Sequence, residues 1–471
     1  MNEKNVGISQ ETLVSNTEDV PAKKLPQYIA SLSSTLGALA VGMVLAWTAV
    51  AGADGKKLVD LYNIPITSSE FSWIGSLTTL GAAAICIPTG ILADVIGRKY
   101  TMLLMVIPFT IGWLLIILAN SVAMFFIGRF IMGFSVGAFC VAAPMYTAEI
   151  AENEIRGSLG SYFQLLLTVG IALTYILGSS VDMRVVSIIS AVVPFIFFGI
   201  FMFMPETPIY YLKKGNEEAA RKSLTKLRGS QYNVENELRV HREALEETRK
   251  KTTSLFVLLK SKATKRSFVI SYGLMFFQQL SGVNVVIFYA STIFNETGSG
   301  MDNSYSIIII GIIQVLAVFI GTLIVDRLGR RILLMASAIF MCLTTLALGV
   351  YFYLTEIRVD VSAIQWLPLI SICIFIVMFS IGFGPIPWMM MGEIFAPEVK
   401  GVAASSACVL NWLLAFIVTK FFDDLKQVMN MGPTFWLFSV VSAIGTLFVY
   451  ILVPETKGKS LVEIQRELNS S

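Results

Sequence analysis

An all-α membrane protein with twelve transmembrane helices in two six-helix bundles is the fold the sequence predicts, on three observations. Of its 471 residues, 55% are hydrophobic and only 14% are charged, where an ordinary soluble chain has about a quarter of its residues charged. The apolar residues gather into runs of about 20, the length a helix needs to cross the hydrocarbon core. The polar punctuation between those runs repeats, in the same order, in the second half of the chain.

The elements follow in order. Residues 1–26 are polar and carry no cleavable-signal pattern, so they read as a cytoplasmic tail and the first apolar run as both signal and span. Spans are expected near 28–51, 71–92, 101–119, 122–143, 158–178 and 184–204, giving a first bundle over 27–204. The insert 205–266 is charged, and in 217–227 and 234–248 its apolar positions are spaced as in surface helices, which predicts short cytoplasmic helices. Six more spans are expected near 267–291, 304–325, 332–353, 363–389, 402–421 and 433–453, a second bundle over 267–453, followed by a cytoplasmic tail over 454–471.

Charge sets the expected orientation. With both termini cytoplasmic, internal segments hold 28 of the 35 Lys and Arg; external loops hold Lys56, Lys57, Arg184, Arg358, Lys420 and Lys426, and Arg129 lies within a span. Asn295-Glu-Thr297 then falls in an external loop, a possible glycosylation site. All five cysteines lie in apolar segments and read as packing residues, not a disulfide framework. His241, the single histidine, sits among charged residues and reads as solvated. A net charge of +3 gives no reason to expect a nucleic-acid partner. No nucleophile–base arrangement or metal cluster is evident, so neither an enzyme, a cofactor nor a metal is expected, and no obligate protein partner beyond the lipid bilayer.

The repeat places charged residues in matched positions. Asp94, Gly97 and Arg98 follow the second span as Asp326, Gly329 and Arg330 follow the eighth; Glu149 with Arg156 recurs as Glu393 with Lys400; Pro205-Glu206-Thr207 recurs as Pro454-Glu455-Thr456. These acids and bases fit a gate that closes by pairing across the halves; anchored loops that fix helix topology are the competing reading, and both can hold. Duplicated halves are the expected build of an alternating-access transporter.

Polar residues within spans mark a candidate site, because at membrane depth they face protein or a water-filled cavity. They are Gln164, Gln278, Gln279, Asn284, Gln314 and Asn411. Amides both donate and accept, which suits the hydroxyls of an uncharged ligand; bonding between helices is the competing reading. Gly382, Gly384, Pro385 and Pro387 must interrupt the tenth span. Trp388, beside that break, is expected to offer an aromatic face, and Tyr289 to complete the wall.

Over residues 28–458 these features together resemble the sugar porter branch of the major facilitator superfamily: Gly128-Arg129 with Gly133 and Gly137, Pro205-Glu-Thr-Pro208, Gln278-Gln-Leu-Ser-Gly-Val-Asn284, Gly384-Pro-Ile-Pro-Trp388 and Pro454-Glu-Thr-Lys-Gly458. Within that branch the chain is similar to insect facilitated trehalose and hexose transporters. The resemblance implies the major facilitator fold, a plasma-membrane location, and a central sugar site at Gln164, Gln278, Gln279, Asn284, Trp388 and Asn411, with Gln314 where relatives often have Asn. Proton-coupled relatives carry an acid in the first span beside the arginine of the fourth; here Thr48 takes that place and Arg129 remains. Uniport of trehalose or a hexose such as glucose is therefore expected, with a proton symporter and a non-transporting sensor as alternatives.

Overall fold

The computed structural model describes residues 21–152, 154–250, 261–297, 303–395, 397–459 and 461–470. Among them, twelve helices are long and apolar enough to cross a membrane: α1 (Leu25–Val50), α2 (Ser68–Ile96), α3 (Arg98–Ile117), α4 (Val122–Ile150), α5 (Arg156–Ser180), α6 (Met183–Phe201), α7 (Lys262–Phe288), α8 (Tyr305–Val325), α9 (Arg330–Glu356), α10 (Ser362–Ile394), α11 (Val399–Met429) and α12 (Met431–Leu452). The predicted fold class and span count both hold. An even number of spans brings both ends of the chain to one face, called here the terminal face; the opposite one is the far face.

Local sequence explains where these helices start and break. Thr67 opens α2 with a reciprocal cap: its hydroxyl accepts from Glu70 N at 3.2 Å, and the Glu70 carboxylate accepts from Thr67 N at 2.8 Å. Helix α7 breaks at Gly282, whose φ of 88° favours glycine, and resumes over Val283–Phe288 and Ala290–Glu296. Helix α10 breaks between Leu367–Ile381 and Ile386–Ile394, where the prolines and glycines predict an interruption. The insert forms Pro208–Lys213, Glu217–Arg228 and Val234–Lys250.

Arg228 straps that insert to the first bundle. It donates to the Ile150 carbonyl at 2.8 Å, at the end of α4, and to Glu237 at 2.7 and 3.1 Å. Burial opposes ionisation of Glu237, but hydrogen bonds from His241 and Arg228 outweigh it and hold its carboxyl at about 2. This contribution to stability is complete above the ordinary carboxylate range and is lost as pH falls toward 2. His241 is thus half-buried against Glu237, not the solvated side chain expected.

Two seams join the bundles, α2 on α11 and α5 on α8. Cys86 and Cys408 face each other across the first, with sulfurs 3.1 Å apart, and all five cysteines are free. Copper–phenanthroline oxidation is therefore expected to join the halves, so that after proteolysis within 251–260 they migrate as one band on a non-reducing gel. Cys86→Ser should abolish that band; two separate bands from the wild type would mean the seam is misplaced.

Two loop expectations are corrected. Lys420 and Lys426 lie within α11, not in a loop, and the Lys420 ammonium sits 5.1 Å from the centre of the Trp73 ring. Asn295 is exposed but sits in the helical turn Ala290–Glu296, and Thr297 is buried with its hydroxyl donating to the Phe294 carbonyl at 2.7 Å. The hydrophobic Ile293 and Phe294 explain the helical turn, since both pack into the core.

Candidate functional site

Four of the predicted amides come together from α7 and α11. Gln278 Nε2 donates to the Phe383 and Gly384 carbonyls at 2.6 and 2.9 Å. Gln278 Oε1 accepts from Asn411 Nδ2 at 2.6 Å, Asn411 Oδ1 accepts from Gln279 Nε2 at 2.9 Å, and Gln279 Oε1 accepts from Asn284 Nδ2 at 2.5 Å. Gln278, Gln279 and Asn411 are buried, while Asn284 is half-buried. No charged side chain takes part in these bonds, so the group is suited to an uncharged, hydroxyl-bearing ligand.

Trp388 reaches this group through methionine. It is half-buried on the second segment of α10 and packs with Met275, Met391 and Ala407; the Met275 sulfur lies 3.2 Å from Asn411 Nδ2. Gln164 is half-buried on α5, and Gln314 is buried on α8 with Oε1 free of any hydrogen bond. No hydrogen bond ties either of them to the four joined amides among the described residues. The Phe383 and Gly384 carbonyls were not predicted, since they are backbone atoms. A signal existed nonetheless: Pro387 has no N–H to return to the carbonyl four residues earlier, which is that of Phe383.

Tyr289, expected on the wall of the site, is instead part of a closure at the far face. Its hydroxyl donates to the Thr419 carbonyl at 2.9 Å, and its ring meets Phe71 edge-on and lies beside Phe422. Hydrogen bonds cross between the halves around it: Ser72 to the Lys420 carbonyl at 2.6 Å, Ser291 to the Ala49 carbonyl at 2.5 Å, and Tyr175 to the Ile287 carbonyl at 2.9 Å. Side-chain volume explains the placement. Gly75 leaves the space the Tyr289 hydroxyl fills, a Cβ there lying 3.1 Å from it.

Arg129 is fully buried. Its guanidinium donates to the Ile74 and Val44 carbonyls at 3.0 and 2.8 Å and to the Thr48 hydroxyl at 3.0 Å, and sits 5.4 Å from the centre of the Trp47 ring. Each polar face of the group is met by a neutral acceptor.

The charged punctuation forms two equivalent clusters, one per half, on the terminal face. Arg98 bonds Glu149 at 2.8 Å and Asp94 at 3.1 Å, and Thr207 donates to Glu149 at 2.6 Å. Arg330 bonds Glu393 at 3.1 Å, and Thr456 donates to Glu393 at 2.5 Å. Gly97 and Gly329, with φ of 100° and 92°, open helices whose first N–H groups are capped by Glu206 and Glu455. Burial pushes the Glu206 carboxyl up, although two backbone N–H groups favour its charged form. These pairs lie within a half and not across the halves. Glu149 takes Arg98 as its partner and not Arg156, which donates to the Ala151 carbonyl at 3.4 Å; Lys400 likewise donates to the Gly392 carbonyl at 3.2 Å. Glycine turns bring Arg98 and Arg330 back onto their own bundles. The Asp326 side chain lies outside the described residues.

Comparison with known proteins agrees with this architecture. The family model described as "Sugar (and other) transporter" matches residues 17–468. The chain is 42% identical over 444 residues to the facilitated trehalose transporter Tret1 of Bombyx mori, covering 94% of this chain and 87% of that one. It is 40% identical over 452 residues to the Tret1 of Culex quinquefasciatus, covering 96% and 87%. Against the Tret1 of Aedes aegypti it is 40% identical over 443 residues, and there the match spans only 55% of the relative's length. Among solved structures, the proton:xylose symporter XylE bound to 6-bromo-6-deoxy-D-glucose is 25% identical with a TM-score of 0.77, covering 94% of this chain and 99% of that one. XylE of E. coli in a partially occluded inward-open conformation has a TM-score of 0.78 at 24% identity, covering 92% and 99%.

Proposed function

The chain belongs to the sugar transporter family, a multi-pass membrane protein and not an enzyme, and from that premise we propose that it carries trehalose, or a hexose such as glucose, down its gradient across the plasma membrane. The terminal face is cytoplasmic and the far face extracellular. Alternating access exposes the amide group and Trp388, with Gln164 and Gln314 facing them from α5 and α8, to each side in turn. With the far-face hydrogen bonds made and the charge clusters paired within their own halves, the conformation is closed to the outside. In the opposite state Arg98, Glu149, Arg330 and Glu393, with Asp94, Asp326, Arg156 and Lys400, form the inner gate.

The surroundings of Arg129 carry the uniport reading. A proton-coupled cycle needs a group that titrates within the transport path, and the guanidinium is met by carbonyls and the Thr48 hydroxyl. The likeness to a proton:xylose symporter favours the competing mode. Purified protein in liposomes decides between them. Labelled trehalose or glucose is expected to equilibrate without a proton gradient, with the initial rate changing less than about twofold between about pH 5.5 and 7.5, the range in which a coupling carboxylate of raised pKa would titrate. Accumulation above the outside concentration, driven only by imposed acidity, would overturn uniport. Sugar binding without any flux would instead indicate a sensor.

A further inference from the structure

The end of α6 gathers two positive charges at the edge of the terminal face. A helix leaves its last carbonyls without intrahelical donors, and basic side chains are favoured there. Lys99, the second residue of α3, donates its ammonium to the Met202 carbonyl at 2.7 Å. Lys226, from the insert helix Glu217–Arg228, donates to the next carbonyl, that of Phe203, at 2.5 Å. A helix C-terminus carries only about half a negative charge, yet two full positive charges stand on adjacent carbonyls here. Among the described residues neither lysine has an acid within ion-pairing distance, whereas Lys213, Arg221, Lys222 and Arg228 of the same insert pair with Asp94, Glu235, Glu218 and Glu237. Glu206, the acid that acts on Lys99, commits its two oxygens to the backbone N–H groups of Lys99 and Thr207.

We propose that Lys99 and Lys226 form a binding site for the phosphate of an anionic phospholipid headgroup. Each ammonium has three N–H donors and uses one on a carbonyl, so four remain for phosphate oxygens. The surroundings suit a lipid better than a soluble anion. Phe203 is 70% exposed, Met202 and Tyr100 are exposed as well, and the Lys99 ammonium lies 5.6 Å from the centre of the Tyr100 ring. Acyl chains can follow these apolar side chains while the lysine heads stay at headgroup level. With the terminal face cytoplasmic, as proposed above, the site opens on the leaflet whose surface is negative. Lys99 belongs to the first bundle and Lys226 to the insert, so one headgroup bridges the two, a second strap beside that of Arg228. In the second half the matching bases part: Arg331 donates to the Tyr450 carbonyl, and Lys457 to the Arg327 carbonyl at 2.5 Å. The paired ammonium groups therefore belong to the first half.

Native mass spectrometry of the full-length protein, titrated in detergent with phosphatidylserine, tests the site. Lys99→Gln with Lys226→Gln is expected to weaken binding about 30-fold, a factor of about five for each headgroup-level charge. Lys222→Gln with Lys265→Gln removes the same charge from exposed positions elsewhere and should leave binding within about threefold of the wild type. Phosphatidylcholine, with a phosphate but no net charge, should bind about tenfold more weakly than phosphatidylserine. Inorganic phosphate in large excess should not displace the lipid. An equal loss in both double variants makes the attraction a general surface charge and overturns the site. Phosphatidylcholine held as tightly as phosphatidylserine overturns it as well, and displacement by inorganic phosphate assigns the lysines to a free anion in place of a lipid. Should the double variant not elute as a monodisperse peak, the exposed Lys226→Gln alone carries the test, with an expected loss of about fivefold. Sugar uptake does not enter the measurement, so failure here leaves the transport reading standing.

Discussion

Asn411→Leu is expected to lower sugar uptake by about 100-fold per folded transporter. Asn411 is the middle of the amide chain: its NH2 group serves Gln278 and its oxygen takes a bond from Gln279, both in a buried setting. Leucine has nearly the same volume, so the pocket stays filled, but it leaves an acceptor on Gln278 and a donor on Gln279 unpaired. Each buried orphan costs about 1–3 kcal/mol, and about 1.4 kcal/mol corresponds to a tenfold change. Two orphans at the lower half of that range give the stated effect. The two glutamines can turn to recover partners only by abandoning the geometry that meets the ligand. Initial rates of labelled trehalose uptake in liposomes, normalised to monodisperse protein on size exclusion, measure it. Uptake within about threefold of the wild type would show that Asn411 is packing glue and not part of the site.

How much of this was legible in the sequence depends on the range of the interaction. Twelve spans, the break in α10 and the duplicated punctuation were readable because hydrophobic runs, prolines and glycines act within one helix or one turn. That Gln278, Gln279 and Asn411 carry polar groups at membrane depth was readable for the same reason. Which groups they would meet was not, because helical spacing sets the face a residue lies on and not the neighbour that face approaches. Gln278 accordingly turned out to hold two backbone carbonyls, a partner that no pattern of side chains announces. Tyr289 shows a second limit. Its place depends on the cavity left at Gly75, more than 200 positions earlier in the chain, and on which side of the membrane is closed. The charged motifs show a third: opposite charges at matched depth do not say which partner each takes, and Arg98 pairs with Glu149 within its own half. Asn295 shows a fourth, since a short polar match gives no information on whether its backbone is helical.

The largest structural effect is expected at Gly133, where leucine should prevent a folded protein from being recovered. A Cβ on Gly133 would lie 2.3 Å from the Thr78 carbonyl oxygen and 2.8 Å from Gly81 Cα, and one on Gly137 would lie 2.3 Å from the Ala82 oxygen. From the other side, a Cβ on Gly81 would lie 2.2 Å from the Phe130 oxygen. These are backbone atoms, so no rotamer change relieves the clash and α2 must move away from α4. Between lipid-bathed helices there is no hydrophobic gain to drive reassociation, and contact depends on close packing of small residues such as this Gly-x-x-x-Gly pair. Overpacking alone costs about 1–3 kcal/mol. Arg129 multiplies the damage, because it lies one turn away on α4 and reaches Ile74 on α2 and Val44 on α1. Once the helices separate, a fully buried guanidinium loses acceptors it cannot replace, and a buried charge without partners costs several kcal/mol more. Gly160→Leu is the matched control, since nothing lies within 4 Å of a Cβ there. Fluorescence-detected size exclusion should show a monodisperse peak for Gly160→Leu and aggregate for Gly133→Leu. A monodisperse Gly133→Leu with wild-type melting behaviour would mean that α2 and α4 do not approach this closely, and the seat of Arg129 would have to be redrawn with them.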